Sequence, residues 1–419
     1  MKKALIILAI LLVAMNIEAQ DFYSAGYYKV TNGTIAALYK NNQRVYTAHY
    51  TNRTSKAIKV DCNSQKDVFW MVNHYNYPSN TLSFTEIRKN NQVYASTENH
   101  GEIHIYDMYC LEDTLYYAGY QLNENGVAIA TVWKGEDFTT HWVLGDGLHA
   151  SVIYDADVDK STNIPYFCGY INDSIRKACV WEASQLLYTY EPTGYESVSN
   201  ASEISVDNGF VYTNGYISYL FYGDEYDVPV IWKDNTKIYE ATEYDFVDCL
   251  YAHQGDFYYT YYYPHGMFYA VYRNRSEILQ LPLNQTGIQR ICGDLDDIYM
   301  VGVLQGQGCI WKNFEVYLQP NNCYYICDMV VSHANVSIDE IDNNAFAVYP
   351  NPANNVLFVE TQNLASLPTT TAYCITNMMG QTLLTGCINA DCQQINIENL
   401  PTGMYFINIG EQTVKFVKQ

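Results

Sequence analysis

The sequence predicts an all-β chain in two parts, a ring of radial four-stranded sheets followed by a small β-sandwich. Three observations predict it. A hairpin unit recurs seven times between residues 21 and 331. The copies are spaced as four-stranded repeats are. Tyrosine, which favours strands and carries a hydroxyl that tolerates half-burial, occurs 42 times in 419 residues.

The clearest copy is Leu115–Lys134. An aromatic strand ends in Gly119-Tyr120, a polar turn follows, and a second strand ends in Trp133-Lys134. Taking Trp133 as the marker, the seven copies fall at Tyr39, Arg88, Trp133, Trp181, Trp232, Tyr272 and Trp311, in steps of 49, 45, 48, 51, 40 and 39 residues. That is the size of a propeller blade. Each copy also offers a strand after the hairpin, as in Lys237–Tyr239, and one before the next, as in Glu203–Val206. Middle strands such as Leu115–Tyr120 are apolar on both sides, as strands covered on both faces are.

Glycine recurs inside these strands at Gly26, Gly119, Gly169, Gly215 and Gly302. A strand glycine costs packing and entropy, so its recurrence predicts a close approach of a neighbour; glycines that merely end strands are the alternative. The chain enters the first repeat at its hairpin, and Tyr325–Val331 is left without a partner after the seventh. The two are expected to share one sheet and close the ring. The expectation is a seven-bladed β-propeller over residues 20–331, with six or eight blades as alternatives because the second copy is degraded. The stretch Ile204–Tyr216, ISVDNGFVYTNGY, resembles the repeat of bacterial seven-bladed propeller families, a likeness that speaks to fold and is silent on ligand.

Residues 1–19 read as a secretory signal: Lys2 and Lys3 open it, Ala4–Ala14 is the apolar run, and Ala19 precedes the expected cut. The run is too short to span a bilayer. Net charge is −22, and removing residues 1–19, which carry Lys2, Lys3 and Glu18, leaves −23. So acidic a chain repels nucleic acid and anionic lipid, and neither is an expected partner.

Ser332–Ala345 is polar and acidic and reads as a linker over residues 332–345. Four segments mark the remaining residues, 346–419. Val348-Tyr349-Pro350-Asn351-Pro352-Ala353 opens them. Ile375–Gln381, with Gly380, lies in the middle. Leu400–Ile407, with Gly403 and Tyr405, follows, and Val414–Lys418, with Lys415 and Lys418, closes the chain. In this order they resemble the C-terminal sorting domain of the type IX secretion system of Bacteroidota. The strand pattern fits an Ig-like sandwich. Prolines would fix the opening turn, and Gly403 would relax the turn before the last strands. The resemblance implies partnership with the secretion machinery, display on the outer cell surface, and a sortase that removes the domain within residues 332–345 and attaches the remainder to a surface glycolipid.

Each short strand ahead of a hairpin is followed by an aspartate, Asp61, Asp107, Asp155, Asp207, Asp248, Asp294 and Asp328, and if those strands are innermost the seven carboxylates ring one mouth of the channel. Gathered at one channel mouth, these carboxylates would bind a cation or cationic ligand, and repulsion would raise some pKa values. The plain alternative is that each accepts hydrogen bonds from backbone amides in the following turn. Asp155–Ser161 alternates oxygens like a calcium loop but lacks the glycine and glutamate such a loop needs. His100 and His104 fall on a strand pattern without further ligands, and Cys323 and Cys327 share that weakness, so no metal and no cofactor are expected. Cys168 and Cys179 fall on the two strands of one hairpin and are the candidate disulfide; two small buried thiols are the alternative. Asp113-Thr114-Leu115 and Asp173-Ser174-Ile175 resemble the short O-glycosylation signal of Bacteroidota. No nucleophile elbow, zincin helix or phosphate loop is present. The functional expectation is a surface-displayed module binding glycan or protein through one face. The alternative is a secreted polysaccharide hydrolase or lyase with acids at the channel mouth.

Overall fold

A computed structural model describes residues 20–333, apart from 194–195, 222–223, 242–245, 264–267 and 283–285, and in the tail 346–349, 352–361, 371–377, 381–388, 394–409 and 412–419. The expected signal sequence, residues 1–19, lies outside the described residues, as do residues 334–345 of the expected linker. The chain divides into two compact units, Met1–His333 and Ala334–Gln419.

The first unit is propeller-like: among the described residues it holds seven four-stranded antiparallel sheets. Six are simple meanders whose innermost strands are Arg53–Cys62, Ile103–Leu111, Ala150–Asp159, Glu196–Asp207, Phe246–His253 and Gly287–Asp294. The remaining sheet, counted first, is built from both ends of the unit. Tyr325–His333 pairs with Gln20–Val30, setting Ala25 opposite Asp328 and Gln20 opposite His333. The strand therefore runs two residues beyond the Val331 expected from the sequence, taking Ser332 and His333 from the linker.

The core lies between sheets. Each of seven apolar clusters is shared by two consecutive sheets. The series returns on itself where Phe22 and Tyr39 of the first sheet meet Tyr299 and Ile310 of the seventh. The marker residues Trp133, Trp181, Trp232 and Trp311 sit buried in these seams. Filling both faces of a sheet with large side chains is what makes the middle strands apolar throughout.

The recurring glycines have a specific cause. Every innermost strand carries a β-bulge against the second strand. In five sheets the glycine sits beside the carbonyl just ahead of that bulge. A Cβ there would lie 2.1 Å from the Tyr325 oxygen at Gly26, 1.9 Å from that of His104 at Gly119 and 1.8 Å from that of Val152 at Gly169. Gly215 and Gly302 are crowded alike, at 1.9 and 2.0 Å. The close neighbour is thus the next strand of the same sheet. The sixth sheet lacks the glycine and has a longer bulge, between Val247 and Leu250. The second sheet has Val72 there, which nothing in the structure explains. Gly169→Ala is expected to cost about 1–3 kcal/mol through overpacking. Gly101→Ala, with open space around it, should change the thermal midpoint negligibly; equal midpoints for the two variants would contradict the bulge account.

A second device repeats at the turn after the third strand. Asn41, Asn90, Asn274 and Asn313 adopt φ of 53°, 52°, 48° and 50°. Asparagine tolerates this left-handed geometry. Each side-chain oxygen accepts the N–H that opens its own sheet's hairpin strand, those of Phe22, Val68, Phe257 and Ile298.

In the second unit, a three-stranded sheet (Phe346–Tyr349, Val356–Thr361, Gln394–Asn396) and a four-stranded sheet (Thr382–Ile388, Thr371–Asn377, Gly403–Ile409, Gln412–Lys418) contribute to one core. That core is built from Leu357, Val359, Ile375, Ile395, Ile407 and Phe416.

Candidate functional site

The innermost strands converge on a channel, and the bulge decides which side chains face it. The residue just past the bulge is Asp328, Lys59, Asp107, Asp155 and Glu203 in sheets one to five and Arg290 in the seventh; in the sixth, Cys249 lies within the longer bulge. Of the seven aspartates singled out from the sequence, Asp107, Asp155 and Asp328 therefore share one level. Asp61 stands two residues further along its strand, Asp207 and Asp294 four residues further, and Asp248 lies within its bulge. Lys59, Glu203 and Arg290 share that level, while Cys249 of the sixth sheet is buried in the seam with the seventh.

These carboxylates staple neighbouring sheets. Asp328 Oδ2 accepts the Val60 N–H at 3.0 Å, Asp107 Oδ2 that of Ala156 at 2.9 Å and Asp155 Oδ2 that of Ile204 at 3.0 Å. Glu203 Oε2 accepts from Leu250 at 2.8 Å, Asp61 Oδ2 from Cys110 at 2.6 Å and Asp157 Oδ2 from Val206 at 2.7 Å. Asp207 Oδ2 accepts from Gly255 at 2.7 Å nearer the surface. Each bond satisfies an N–H that the open edge of an innermost strand, or its turn, leaves without a ladder partner.

Two cations bind the level together. Lys59 Nζ lies 2.8 Å from Asp107 Oδ1 and 3.1 Å from Asp155 Oδ1. Arg290 Nε lies 3.1 Å from Asp328 Oδ1, and its terminal nitrogen 3.8 Å from Asp155 Oδ1. Asp107, Asp155 and Asp328 are only 2%, 5% and 4% exposed. Burial opposes the charge on Lys59, and Arg290 adds to that; the attraction of Asp107, Asp155 and Asp328 outweighs both and raises its pKa. Burial lifts Asp107 to about 7 against the pull of Lys59. Burial also acts on Asp155, but Lys59 and Arg290 prevail and hold it below its usual value. Glu203 is pushed up to about 8, first by burial and then by Asp155. Burial raises Asp61 and Asp157 to about 6.

Toward the turns that join first and second strands the channel widens into a cavity of about 720 Å³ lined by, among others, Asp61, Asp157, Asp207, Asp294, Lys160 and His253. Asp155–Ser161 is no metal loop. It continues the strand Ala150–Asp159, and Asp159 Oδ1 caps the turn at Ser161. Among the described residues no group of three or more His, Cys, Asp or Glu is placed to hold a metal ion. His104 stacks on Tyr120, and His100 lies against Phe138. Cys323 is buried in the seam between the first and seventh sheets, while Cys327 is the bulge residue of its strand. The Cys168–Cys179 disulfide does not form. The register sets Cys179 opposite Gly169 and Cys168 opposite Val180, so the two free thiols point to opposite faces and into different seams.

The other end of the channel is aromatic. Tyr120, Tyr170 and Tyr216 follow the bulge glycines of sheets three to five, and Tyr106 and Tyr154 are bulge residues of sheets three and four. Tyr106 is 39% exposed and the others are half-buried. Ring centroids are 6.0 Å apart for Tyr106 and Tyr120, 5.3 Å for Tyr106 and Tyr154, and 5.9 Å for Tyr154 and Tyr170. The first sheet adds Tyr27, stacked on Tyr325 at 5.6 Å. Sequence inspection missed this arc; its only signal was the tyrosine after the glycine in four of the seven repeats.

Among the sorting residues, Tyr349 ends its strand opposite Phe358. Pro350, Asn351 and Gly380 lie outside the described residues, and Pro352 is exposed. Ala353 accepts the Gln419 N–H and donates to Val417, stitching the opening turn to the last strand. Tyr405 stacks on Phe416, and its hydroxyl donates to Pro401 O at 2.7 Å. Lys415 is exposed and Lys418 buried. A Cβ on Gly403 would make ordinary contacts with the Tyr405 ring, and its φ is not left-handed. The turn-relaxing role expected of it is therefore not required.

No curated protein matches the sequence. Solved structures of low identity do. The WD40 β-propeller domain of Doa1 is 12% identical over 75% of this chain and 98% of its own, with a TM-score of 0.37. The β-propeller domain of the Trilobed protease from Pyrococcus furiosus is 11% identical over 70% and 96%, with a TM-score of 0.34. One of two prolyl endopeptidases is 10% identical over 93% of this chain and 55% of its own, with a TM-score of 0.42. At such identities and superpositions none of these likenesses bears on function. The tail is different: residues 347–419 match the secretion system C-terminal sorting domain family. The chain thus ends in a type IX sorting domain, the mark of a protein destined for the cell surface.

Proposed function

We propose that this is a surface-displayed, seven-bladed β-propeller that binds a glycan or protein ligand at its tyrosine-lined mouth, carried out by an Ig-like sorting domain. The observation that supports binding over catalysis is the division of labour along the channel. The acids of the level are engaged by backbone N–H groups, Lys59 and Arg290, while the tyrosines opposite present partly exposed rings and hydroxyls. Large, stiff aromatic side chains give contact area at low entropic cost. A sortase would cut within residues 334–345, beyond the strand that ends at His333, and pass the first unit to a surface glycolipid.

Polysaccharide hydrolysis or elimination is the second reading. One observation favours it: Asp107 and Asp155 are two buried carboxylates that converge on Lys59, 2.8 and 3.1 Å from its Nζ, a pairing that could set their protonation apart. A polysaccharide array probed with the mature chain and scored for retention and for new reducing ends separates them. Retention without cleavage, lost in Tyr106→Ala and kept in Asp107→Asn, is the expected result. Cleavage lost in Asp107→Asn would overturn the binding-only function.

A further inference from the structure

Resting on that binding function, we infer that the arc of Tyr106, Tyr120, Tyr154, Tyr170 and Tyr216 seats an anionic polysaccharide, with the Arg176 guanidinium as its anion contact. Most cations of this acidic unit are paired: Lys89, Lys177, Lys237, Arg273 and Lys312 each face a carboxylate. Arg176 makes no ion pair among the described residues. Its guanidinium lies 5.6 Å from the Tyr170 centroid and 5.8 Å from that of Tyr216. Its Nε is buried with no hydrogen-bond partner among the described residues. The carboxylates nearby are committed elsewhere: Asp227 accepts from Ser218, Glu225 from Ser197 and Asp173 from Lys177. A guanidinium laid on aromatic faces keeps its in-plane donors, and their fork matches a carboxylate or sulfate.

The rest of the arc specifies a saccharide. Four rings in a row, Tyr120, Tyr106, Tyr154 and Tyr170, each touch the next across two sheets. They form a hydroxyl-edged aromatic track. Apolar sugar faces stack on such rings while the hydroxyls exchange hydrogen bonds. A negative group on the sugar then meets Arg176, which makes no ion pair among the described residues.

Calorimetric titration of the mature chain tests this with four probes: oligogalacturonate for carboxylate, dextran sulfate for sulfate, a neutral cello-oligosaccharide, and poly-glutamate as an acidic peptide. At least one anionic saccharide should bind, at least tenfold tighter than the neutral one, with affinity falling as salt rises. Arg176→Ala should remove that preference, Arg176→Lys should restore part of it, and Tyr106→Ala should weaken binding at least tenfold, all with unchanged thermal midpoints. Equal binding of neutral and anionic saccharides, indifferent to Arg176→Ala, overturns the anion contact and leaves the binding function standing. Poly-glutamate binding as tightly through Arg176 overturns the saccharide class. If no saccharide binds and the array also shows no retention, both the inference and the glycan form of the binding function fail.

Discussion

Asp155→Ala should be the most damaging single substitution in the channel, costing about 3–5 kcal/mol, because it removes one partner from a buried charge network. Three groups lose it at once: the Ile204 N–H, Lys59 and Arg290. The first is a bond between sheets, so its loss leaves a buried donor unsatisfied at the junction of the fourth and fifth sheets. The cations retain Asp107 and Asp328, which keeps the loss from doubling. Asp155→Asn should recover part of it, since an amide oxygen still accepts from Ile204. Asp207→Ala is the control: it removes a comparable bond, to Gly255, at an exposed site, and should cost under about 1 kcal/mol. Thermal and denaturant midpoints of the three variants check the order. Equal small losses would mean that the staples contribute nothing beyond the apolar seams.

Stability should rise as pH falls from 8 toward 5.5, by about 1–3 kcal/mol, and fall again below about 4. Glu203 and Asp107, at about 8 and 7, and Asp61 and Asp157, at about 6, bind protons more tightly folded than unfolded. Between their ordinary values near 4 and those raised values the folded state holds more protons, so raising the pH there costs stability. Asp155 and Glu86 act in the opposite sense. Burial disfavours the charge on both, but Lys59 and Arg290 lower the first, and His74, Tyr50 and Arg88 the second. Their contribution is present above their ordinary values and disappears as pH drops through the lowered ones. Scanning calorimetry from pH 4 to 8.5 should show a maximum in the mildly acidic range. Glu203→Gln, which keeps an acceptor for Leu250, should flatten the alkaline side. A monotonic rise to pH 8 would mean that Glu203 and Asp107 are charged throughout.

The repeat was legible because each sheet must fill two seams, and that demand writes apolar, aromatic-rich hairpins at a regular spacing, with a buried tryptophan at the same place in four of the seven copies. Ring closure was legible for a related reason: Tyr325–Val331 is an apolar strand with nowhere else to pair. The composition of the acid level was not. Turns between first and second strands differ in length, so an aspartate counted from the hairpin drifts along the channel, as Asp61, Asp207 and Asp294 do. The bulge adds another residue, and only the register shows that Lys59, Glu203 and Arg290 stand level with Asp107. The same one-residue offset separates Cys168 from Cys179, because a slip of one in a strand exchanges faces. The tyrosine arc stayed hidden because its members come from bulge positions and from second strands that only the fold brings together.

Hydroxyl-radical footprinting of the full mature chain, with and without saturating anionic oligosaccharide, tests most directly whether the channel is stapled at one end and open to ligand at the other. Protection should appear at Tyr106, Tyr120, Tyr154, Tyr170 and Tyr216, and be absent at Tyr251 and Met108 in the acidic cavity. Protection of the cavity residues with the arc unchanged would contradict it.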